Sequence, residues 1–583
     1  MVTVPALLSS NVARNPMRLG HSCVAKFVCF AYNSGATRGM SGSGHRPPQV
    51  AVIGGGIAGA VCSHFLARRG AHVDVFDMGR QQPGGRASSR TPGGGGGGGP
   101  DVFQFDYGCQ YFQTRSPAMK QLLAEWLAAG VVAEWRPRVG VYDVARGALR
   151  SREELSPSEA AALAEGGLPP LPCPSSGPLY AGSPSMGALV AHLLRPEEGG
   201  AAEGAAEGAA EGAEGRPPPS PHQQQQQQQQ QQGGEEAEGG GGGGIHLRLN
   251  TRVIGARWSN DRWQLTWQQA QRGRGGGAAA AAGGTAGGEG AAGGGGGGWY
   301  DALVLTDNQV VRPGAPGHIV FQDAGPALEA LATRLTQLTR RPQFALMMGW
   351  TGAGAEAGAG AGAGAAGSAG RALPPRLPCD AMHVLGGNAV QWIAVDSSKP
   401  VRQERGRSRA DGGQCWLALT RPDFAARLLA ADAAAADAAG AGSSSPLPAG
   451  PEYRARRAAE IWTALQEELR HIPGLAALPP PAFLSAHRWS SCFTANPLGR
   501  PFESDDGSGG GGSGGRWAAC GDFCTGPGLE PAAASGALAA RAVADMLGLP
   551  ERAPAAVNGG AAGGVGECGG AAPMSASDWS GAF

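Results

Sequence analysis

The 583 residues carry 47 basic and 47 acidic side chains, so the balance of charge offers no electrostatic case for a nucleic acid or an anionic membrane as partner. No apolar run reaches the length needed to span a bilayer, and glycine alone accounts for 101 positions, so much of the chain lacks the apolar surface that ordering requires. The eleven cysteines are scattered and odd in number, which suits a reducing compartment better than a disulfide framework.

No acidic residue precedes Asp74, whereas Arg14, Arg18, Lys26, Arg38 and Arg46 are spread among serines and small apolar residues. Such an acid-poor leader over 1–47 resembles an organellar transit peptide, with chloroplast favoured over mitochondrion and a disordered cytosolic tail as the alternative.

After it, Val50-Ala51-Val52-Ile53 is continuously apolar, as in a parallel strand covered on both faces, and Gly54, Gly56 and Gly59 follow at G-x-G-x-x-G. Gly54 serves the tight turn, Gly56 the close approach of a pyrophosphate and Gly59 the packing of helix on strand. A phosphate would sit at the helix N-terminus, where free amides and the macrodipole favour an anion. A second strand, Val73 to Asp77, ends in a carboxylate that can accept hydrogen bonds from ribose hydroxyls, and a Gly84-Gly85-Arg86 turn follows. In this order the residues read as a dinucleotide site, not a structural glycine turn.

Phe103 to Phe112 alternates aromatic and polar residues and predicts a strand or an extended, half-buried segment. Ser116-Pro117 predicts a helix start, with Met119, Leu122, Leu123, Trp126 and Leu127 on its inner face. Ser183-Pro184 predicts another, burying Met186, Leu189, Val190, Leu193 and Leu194. Ile245–Thr251, Val253–Trp258 and Trp263–Trp267 are expected as strands of a meander, and Trp299 to Thr306 as one interior strand. Gln343–Trp350, Ala389–Asp396 and Gln414–Thr420 suggest an antiparallel sheet, Tyr453–His471 a helix, Trp517–Asp522 a strand and Glu530–Leu547 an Ala-rich helix. Between these elements, 91–100, 197–244, 269–298, 351–373, 403–413, 433–450, 504–515 and 551–583 are low-complexity tracts, read as surface-loop inserts and a disordered tail. Roughly 350 residues remain, enough for a two-domain enzyme. The mixture predicts an α/β fold, a Rossmann-like domain interleaved with an α+β domain.

The glycine turn, Asp77, Gly84-Gly85-Arg86, the Asp106 to Phe112 block, and Cys520-Gly521-Asp522 through Ser535-Gly536 together resemble FAD-dependent amine oxidases. Within that superfamily, Ser183-Pro184-Ser185-Met186, Trp392 to Pro400 and His487-Arg488-Trp489 are similar to renalase-like NAD(P)/FAD-dependent oxidoreductases, over about 48 to 548. The resemblance implies an FAD-binding domain from 48–115, 180–196, 245–312 and 516–548, and a substrate domain from 116–179 and 313–503. It implies non-covalent FAD, with Gly54, Gly56 and Gly59 at the pyrophosphate, Asp77 at the ribose in place of the family's usual Glu, and Gly85 and Arg86 beside the cofactor. Val253 would meet the adenine through its backbone, Gly521 and Asp522 the ribityl or phosphate oxygens, and the helix starting near Glu530 would aim its positive end at flavin N1 and O2.

Because flavin accepts the hydride, the protein must chiefly present a substrate carbon and exclude water. Related amine oxidases use a lysine near flavin N5, and Lys399 is the one candidate among three lysines; it is either catalytic or a structural ion pair. His487 is a proton-transfer candidate or a packed loop histidine, Trp392 is either a pocket wall or core, with core favoured, and Trp489 is a candidate pocket wall. Cys109 and Cys524 lie outside the family's tether motif, and His64 and His72 read as structural. The implied activity takes hydride from a small substrate, a reduced nicotinamide isomer or an amine, and passes electrons to oxygen. A plastid desaturase or porphyrinogen-type oxidase, and a nucleotide-binding scaffold without catalysis, stand as alternatives. No metal ligand set and no membrane span is expected.

Overall fold

The continuous apolar run after Gln49 forms the middle of a six-stranded sheet in the computed structural model, which describes residues 46–92, 103–165, 177–196, 244–269, 295–351, 373–404, 413–438, 450–472, 475–508 and 514–551. The leader over 1–45 and the tail beyond 551 lie outside the described residues. Strand β1 (Gln49–Ile53) pairs in parallel with β2 (His72–Phe76) on one side and β11 (Ala302–Leu305) on the other. β7 (Gly244–Arg248) extends the sheet beyond β2, β19 (Trp517–Cys520) beyond β11, and β18 (Phe502–Asp505) closes that edge in the antiparallel sense. Val50, Val52, Ala51 and the whole of Ala302–Leu305 are fully buried, as expected of strands covered on both faces. Helices α1 (Ile57–Arg68), α2 (Pro117–Ala128), α4 (Met186–Leu193) and α8 (Leu529–Met546) pack with one face of this sheet in a single apolar cluster.

A four-stranded sheet, β10 (Gly295–Tyr300), β9 (Arg262–Gln269), β8 (Thr251–Ser259) and β12 (Val320–Gln322), covers part of the other face together with helix α5 (Pro326–Thr336). The remaining large sheet runs β17 (Phe483–Thr494), β13 (Arg340–Trp350), β16 (Gln414–Thr420), β15 (Val390–Val395), β14 (Ala381–Leu385), β4 (Val139–Asp143) and β5 (Ala148–Arg150). Its period-two pattern is legible residue by residue. Phe344, Leu346, Met348, Trp416 and Ala418 face helices α6 (Pro422–Ala438) and α7 (Pro451–Leu469), while Ala345, Met347, Cys415, Leu417 and Leu419 face an aromatic cluster with Phe105, Tyr111 and Trp392. A two-stranded ribbon of β3 (Val132–Trp135) and β6 (Leu179–Gly182) and helix α3 (Pro157–Glu165) complete the elements of eight or more residues and the strands.

Several sequence expectations shift. Ile245–Thr251 is not part of the meander: β7 lies parallel to β2, and the antiparallel run is β8, β9 and β10. Trp299 to Thr306 is two strands in two sheets, broken at Asp301, whose amide donates to Gln49 O at 2.7 Å and whose carboxylate accepts from Gln49 N at 2.7 Å. Gly295–Gly298 belongs to β10 and not to a loop insert. A Cβ at Gly296 would fall 2.4 Å from Trp267 Nε1, so the glycine is what lets the Trp267 indole lie across the strand. Ala433–Ala438 likewise continues α6. Ser185, not Ser183, caps α4, accepting from Ala188 N at 3.3 Å. Leu127 is exposed because the buried stripe on α2 ends with the preceding residue, Trp126, and Leu127 lies about 100° further round the helix. Phe103–Phe112 is extended but makes only isolated bridges, Phe105 with Arg90 and Phe112 with Tyr180.

One buried group on β14 has a measurable consequence. His383 is 1% exposed, neither ring nitrogen has a hydrogen-bond partner, and its ring packs 4.7 Å from Trp392. Burial pushes its pKa down to about 3. The neutral ring is therefore favoured by folding, so stability is complete above the unfolded pKa near 6.5 and declines as pH falls toward the folded value. Between neutrality and pH 5 this one group removes on the order of 2 kcal/mol of stability, read as a falling urea midpoint. His383→Phe should flatten that dependence; an unchanged slope would place its origin elsewhere.

Candidate functional site

The carboxyl ends of β1, β2, β11 and β19 deliver Gly54, Asp77, Thr306-Asp307 and Gly521-Asp522 to one cleft of about 1400 Å³, at the switch point of the parallel sheet where ligands of open α/β folds bind. Gly54 holds φ +112, and a Cβ there would meet Thr306 Oγ1 at 2.3 Å. A Cβ at Gly59 would stand 2.0 Å from Gly54 O, so α1 rests directly on the turn. Gly56 differs: its nearest neighbour would be Gly84 O at 3.9 Å, so its missing side chain leaves room on the cleft side. It also opens α1 with no side-chain cap, leaving the first helical amides available to an anion.

Asp77 braces this turn. One carboxylate oxygen accepts from Gly55 N at 2.7 Å and the other from Gly79 N at 2.6 Å, while burial still raises its pKa above the usual carboxylate range. Gly84 and Gly85, at φ +131 and +51, fold the next segment against Gly55 and Gly56 and so bring Arg86 to the cleft. There Arg86 forms a two-pronged ion pair with Asp522, with Nη2 donating to Oδ1 at 2.7 Å, and donates to Cys492 O at 2.6 Å. Both members of the pair line the cleft, as does Val253, beside a bulge in β8.

Helix α8 also opens at the cleft. Gly528 caps it without a side-chain hydrogen bond, and Gly528, Leu529 and Ala532 line the cleft. A Cβ at Gly536 would lie 2.2 Å from Ala58 O, so α1 and α8 touch backbone to backbone and their N-termini share the cavity. Glu530 itself is not brought there. About 100° round the helix from Leu529, its carboxylate accepts from Arg115 N and Ser116 N at 2.9 Å each and so anchors the start of α2.

The far end of the cleft is aromatic. Tyr107 stacks on Trp489 at 5.3 Å and 12°, Trp489 Nε1 donates to Tyr107 O at 3.1 Å, and His487 sits 4.2 Å from Trp489 and 4.7 Å from Tyr107. Burial, and then the charges of Arg90, Arg454 and Arg488, hold the His487 pKa down at about 4, so the ring is neutral near pH 7. Trp392 forms a wall whose ring packs 5.7 Å from Tyr111. Cys109 and Cys492 also line the cleft, and burial pushes each thiol up to about 12, so both stay protonated. Cys524 is core.

Lys399 is not among the cleft residues. It is 2% exposed, with Nζ 2.6 Å from Asp106 Oδ2 and 2.7 Å from Asp396 Oδ1, and Arg402 pairs with the same two carboxylates. Asp106 Oδ1 also accepts from Ser89 Oγ at 2.6 Å and from Met186 N at 3.0 Å. Burial works against the Asp106 charge, yet Arg402 and Lys399 outweigh it and keep the carboxyl below its usual range. This clasp ties the extended Asp106–Phe112 segment, which supplies Tyr107 and Tyr111, to the end of β15. Sequence reasoning missed Asp106, Asp396 and Arg402 as a unit, and missed Thr306, Asp307, Tyr107, Arg90 and Arg454. Position was the available signal for Asp307, since it ends a parallel strand as Asp77 does.

Residues 52–126 match the family model described as an NAD(P)-binding Rossmann-like domain. The fold is Rossmann-like α/β. Among solved structures, the chain is similar to cyclohexylamine oxidase from Brevibacterium oxydans IH-35A, at 12% identity and a TM-score of 0.46 over 86% of this chain and 100% of that one. It is similar to an oxidoreductase from Methanosarcina mazei, at 10% identity and a TM-score of 0.44 over 84% and 99%. A double mutant of putrescine oxidase gives 11% identity and a TM-score of 0.42 over 86% and 100%. Likenesses this loose decide nothing about chemistry. Among the described residues, no cluster could hold a metal ion and no helix is long and apolar enough to cross a membrane.

Proposed function

We propose that the chain is an FAD-dependent oxidoreductase of the amine oxidase superfamily, of the renalase-like type, that removes hydride from a small substrate. The observation that carries this reading is the continuity of one cleft, from the open cradle at Gly56 and the uncapped start of α8 to an aromatic chamber at its far end. The cradle fits a dinucleotide: Gly56 keeps space where a side chain would intrude, and the amides opening α1 face it. Gly54, Gly56 and Gly85 would surround the pyrophosphate with Gly59 seating α1 behind them, Asp77 would meet the ribose, Val253 the adenine, and Arg86 with Gly521 and Asp522 the middle of the cofactor. When bound, FAD supplies the hydride acceptor.

The chain's own residues then orient and shield. Tyr107, Trp392 and Trp489 offer flat apolar walls that position a planar group and exclude water, and neutral His487 can accept a hydrogen bond near pH 7. Lys399 holds the wall segment through Asp106 and moves no proton in the chamber. A reduced nicotinamide isomer or an amine would be the hydride donor and oxygen the final acceptor, in an organelle, with the chloroplast favoured.

The test is anaerobic titration of purified protein against a panel of amines and reduced nicotinamides while the flavin absorption band is followed. Yellow protein that bleaches with one class is the expected result. Colourless protein that cannot be reconstituted with FAD would end the proposal.

A further inference from the structure

We infer that the aromatic end of the cleft is built for a planar substrate bearing a negative charge, and not for an alkylammonium ion. The inference rests on the proposed function and narrows its substrate by charge. Two guanidiniums reach this end from different parts of the fold. Arg90 comes from the segment bridged to Phe105, and Arg454 from the first turn of α7; both line the cleft with His487. Arg90 donates to Ser485 Oγ at 3.4 Å and lies 5.9 Å from the Phe483 ring, and no carboxylate pairs with it among the described residues. The Arg454 side chain has neither a hydrogen bond nor an ion pair among the described residues.

The acids that line the cleft are committed elsewhere. Asp77 braces the glycine turn, Asp522 is paired with Arg86, and Asp307 accepts from Gln309 N at 2.9 Å as it caps the short helix Asn308–Val311. Burial and then the nearby Arg454 charge lower the pKa of Arg90, and both arginines help to keep His487 neutral. An incoming ammonium would meet two like charges with no carboxylate to offset them. A carboxylate or phosphate would take charge-assisted hydrogen bonds from planar donors suited to oxyanions. The flat Tyr107 and Trp489 pair, at an interplanar angle of 12°, adds a face against which a planar ring can lie.

Benzoate and benzylammonium make a matched pair of probes, with a similar ring and opposite charge. Isothermal titration near neutral pH should show benzoate binding at least roughly tenfold more tightly than benzylammonium. Arg90→Gln/Arg454→Gln should lose about 10- to 100-fold in benzoate affinity while circular dichroism and flavin content stay those of the parent. Arg454→Lys, which keeps the charge, should recover part of that loss. Benzylammonium bound as tightly as benzoate would overturn the inference, as would unchanged benzoate affinity in the double variant. Calorimetry reads the charge preference with or without flavin, and the visible band reads flavin separately. Yellow protein that prefers the cation would therefore reject this inference alone, whereas colourless protein would reject the proposed function.

Discussion

Gly59→Val should yield protein that comes through desalting without its flavin. A Cβ at this position would stand 2.0 Å from Gly54 O and 3.2 Å from the Gly54 carbonyl carbon, and backbone cannot swing aside as a side chain can. The helix must retreat from the strand, which withdraws the amides of α1 from the cradle and disturbs the Ala58–Gly536 crossing that sets α8. Overpacking costs of 1–3 kcal/mol are usual, and a clash with main chain belongs at the upper end, corresponding to about 100-fold in cofactor affinity. Gly56→Ala separates cause from general damage. Its methyl would meet only Gly84 O at 3.9 Å, so the melting temperature of the flavin-free protein should hold while flavin content falls. The ratio of visible to ultraviolet absorbance, read beside a melt, checks both variants. A fully loaded Gly59→Val protein would contradict the placement of the cradle.

Lys399→Met is expected to damage the fold and spare the chemistry. Asp106 and Asp396 are 0% exposed and Lys399 is 2% exposed, so deleting the ammonium leaves two buried carboxylates facing Arg402 alone. Breaking a buried pair by removing one partner costs about 3–5 kcal/mol, because the remaining charge loses its compensation. Denaturant midpoints should fall accordingly. Lys399→Met/Asp396→Leu should be less destabilised than the sum of the single variants, since it restores neutrality around Asp106 and Arg402. The rate of flavin reduction, measured on protein that remains folded, should match the parent. A rate loss at constant flavin content, with unchanged stability, would return Lys399 to the chemistry.

The contrast between these two residues shows what the sequence could and could not disclose. Gly59 was legible because a strand, a tight turn and a helix are local, and each glycine has a steric task that spacing reveals. Asp77 and Asp522 were legible as acids at strand ends, though not that Asp522 is paired with Arg86. Lys399 was singled out by elimination, yet its partner Asp106 lies far back in the chain, and no periodicity reports a pairing between two loops. The same limit separated Ile245 from the meander: an alternating strand reads alike in a parallel sheet or a hairpin until its neighbour is known. Gly295–Gly298 was invisible for a simpler reason. Four glycines have no side-chain pattern to read; pairing with β9 makes them a strand, and the Trp267 indole occupies the space a side chain at Gly296 would need. Arg90 and Arg454 were equally silent, since convergence on one chamber is a property of the folded chain.

The contact between Ala58 and Gly536 joins an early helix to a very late one, with β19 and Asp522 arriving just before it. A chain made only as far as β11 therefore has a cradle with one wall missing: Arg86 has no Asp522, β11 lacks its outer neighbour, and the second amide cluster does not yet exist. On the proposed function, tight cofactor capture would await the synthesis and docking of α8, so the nucleotide would bind the closed cradle and not the isolated glycine turn.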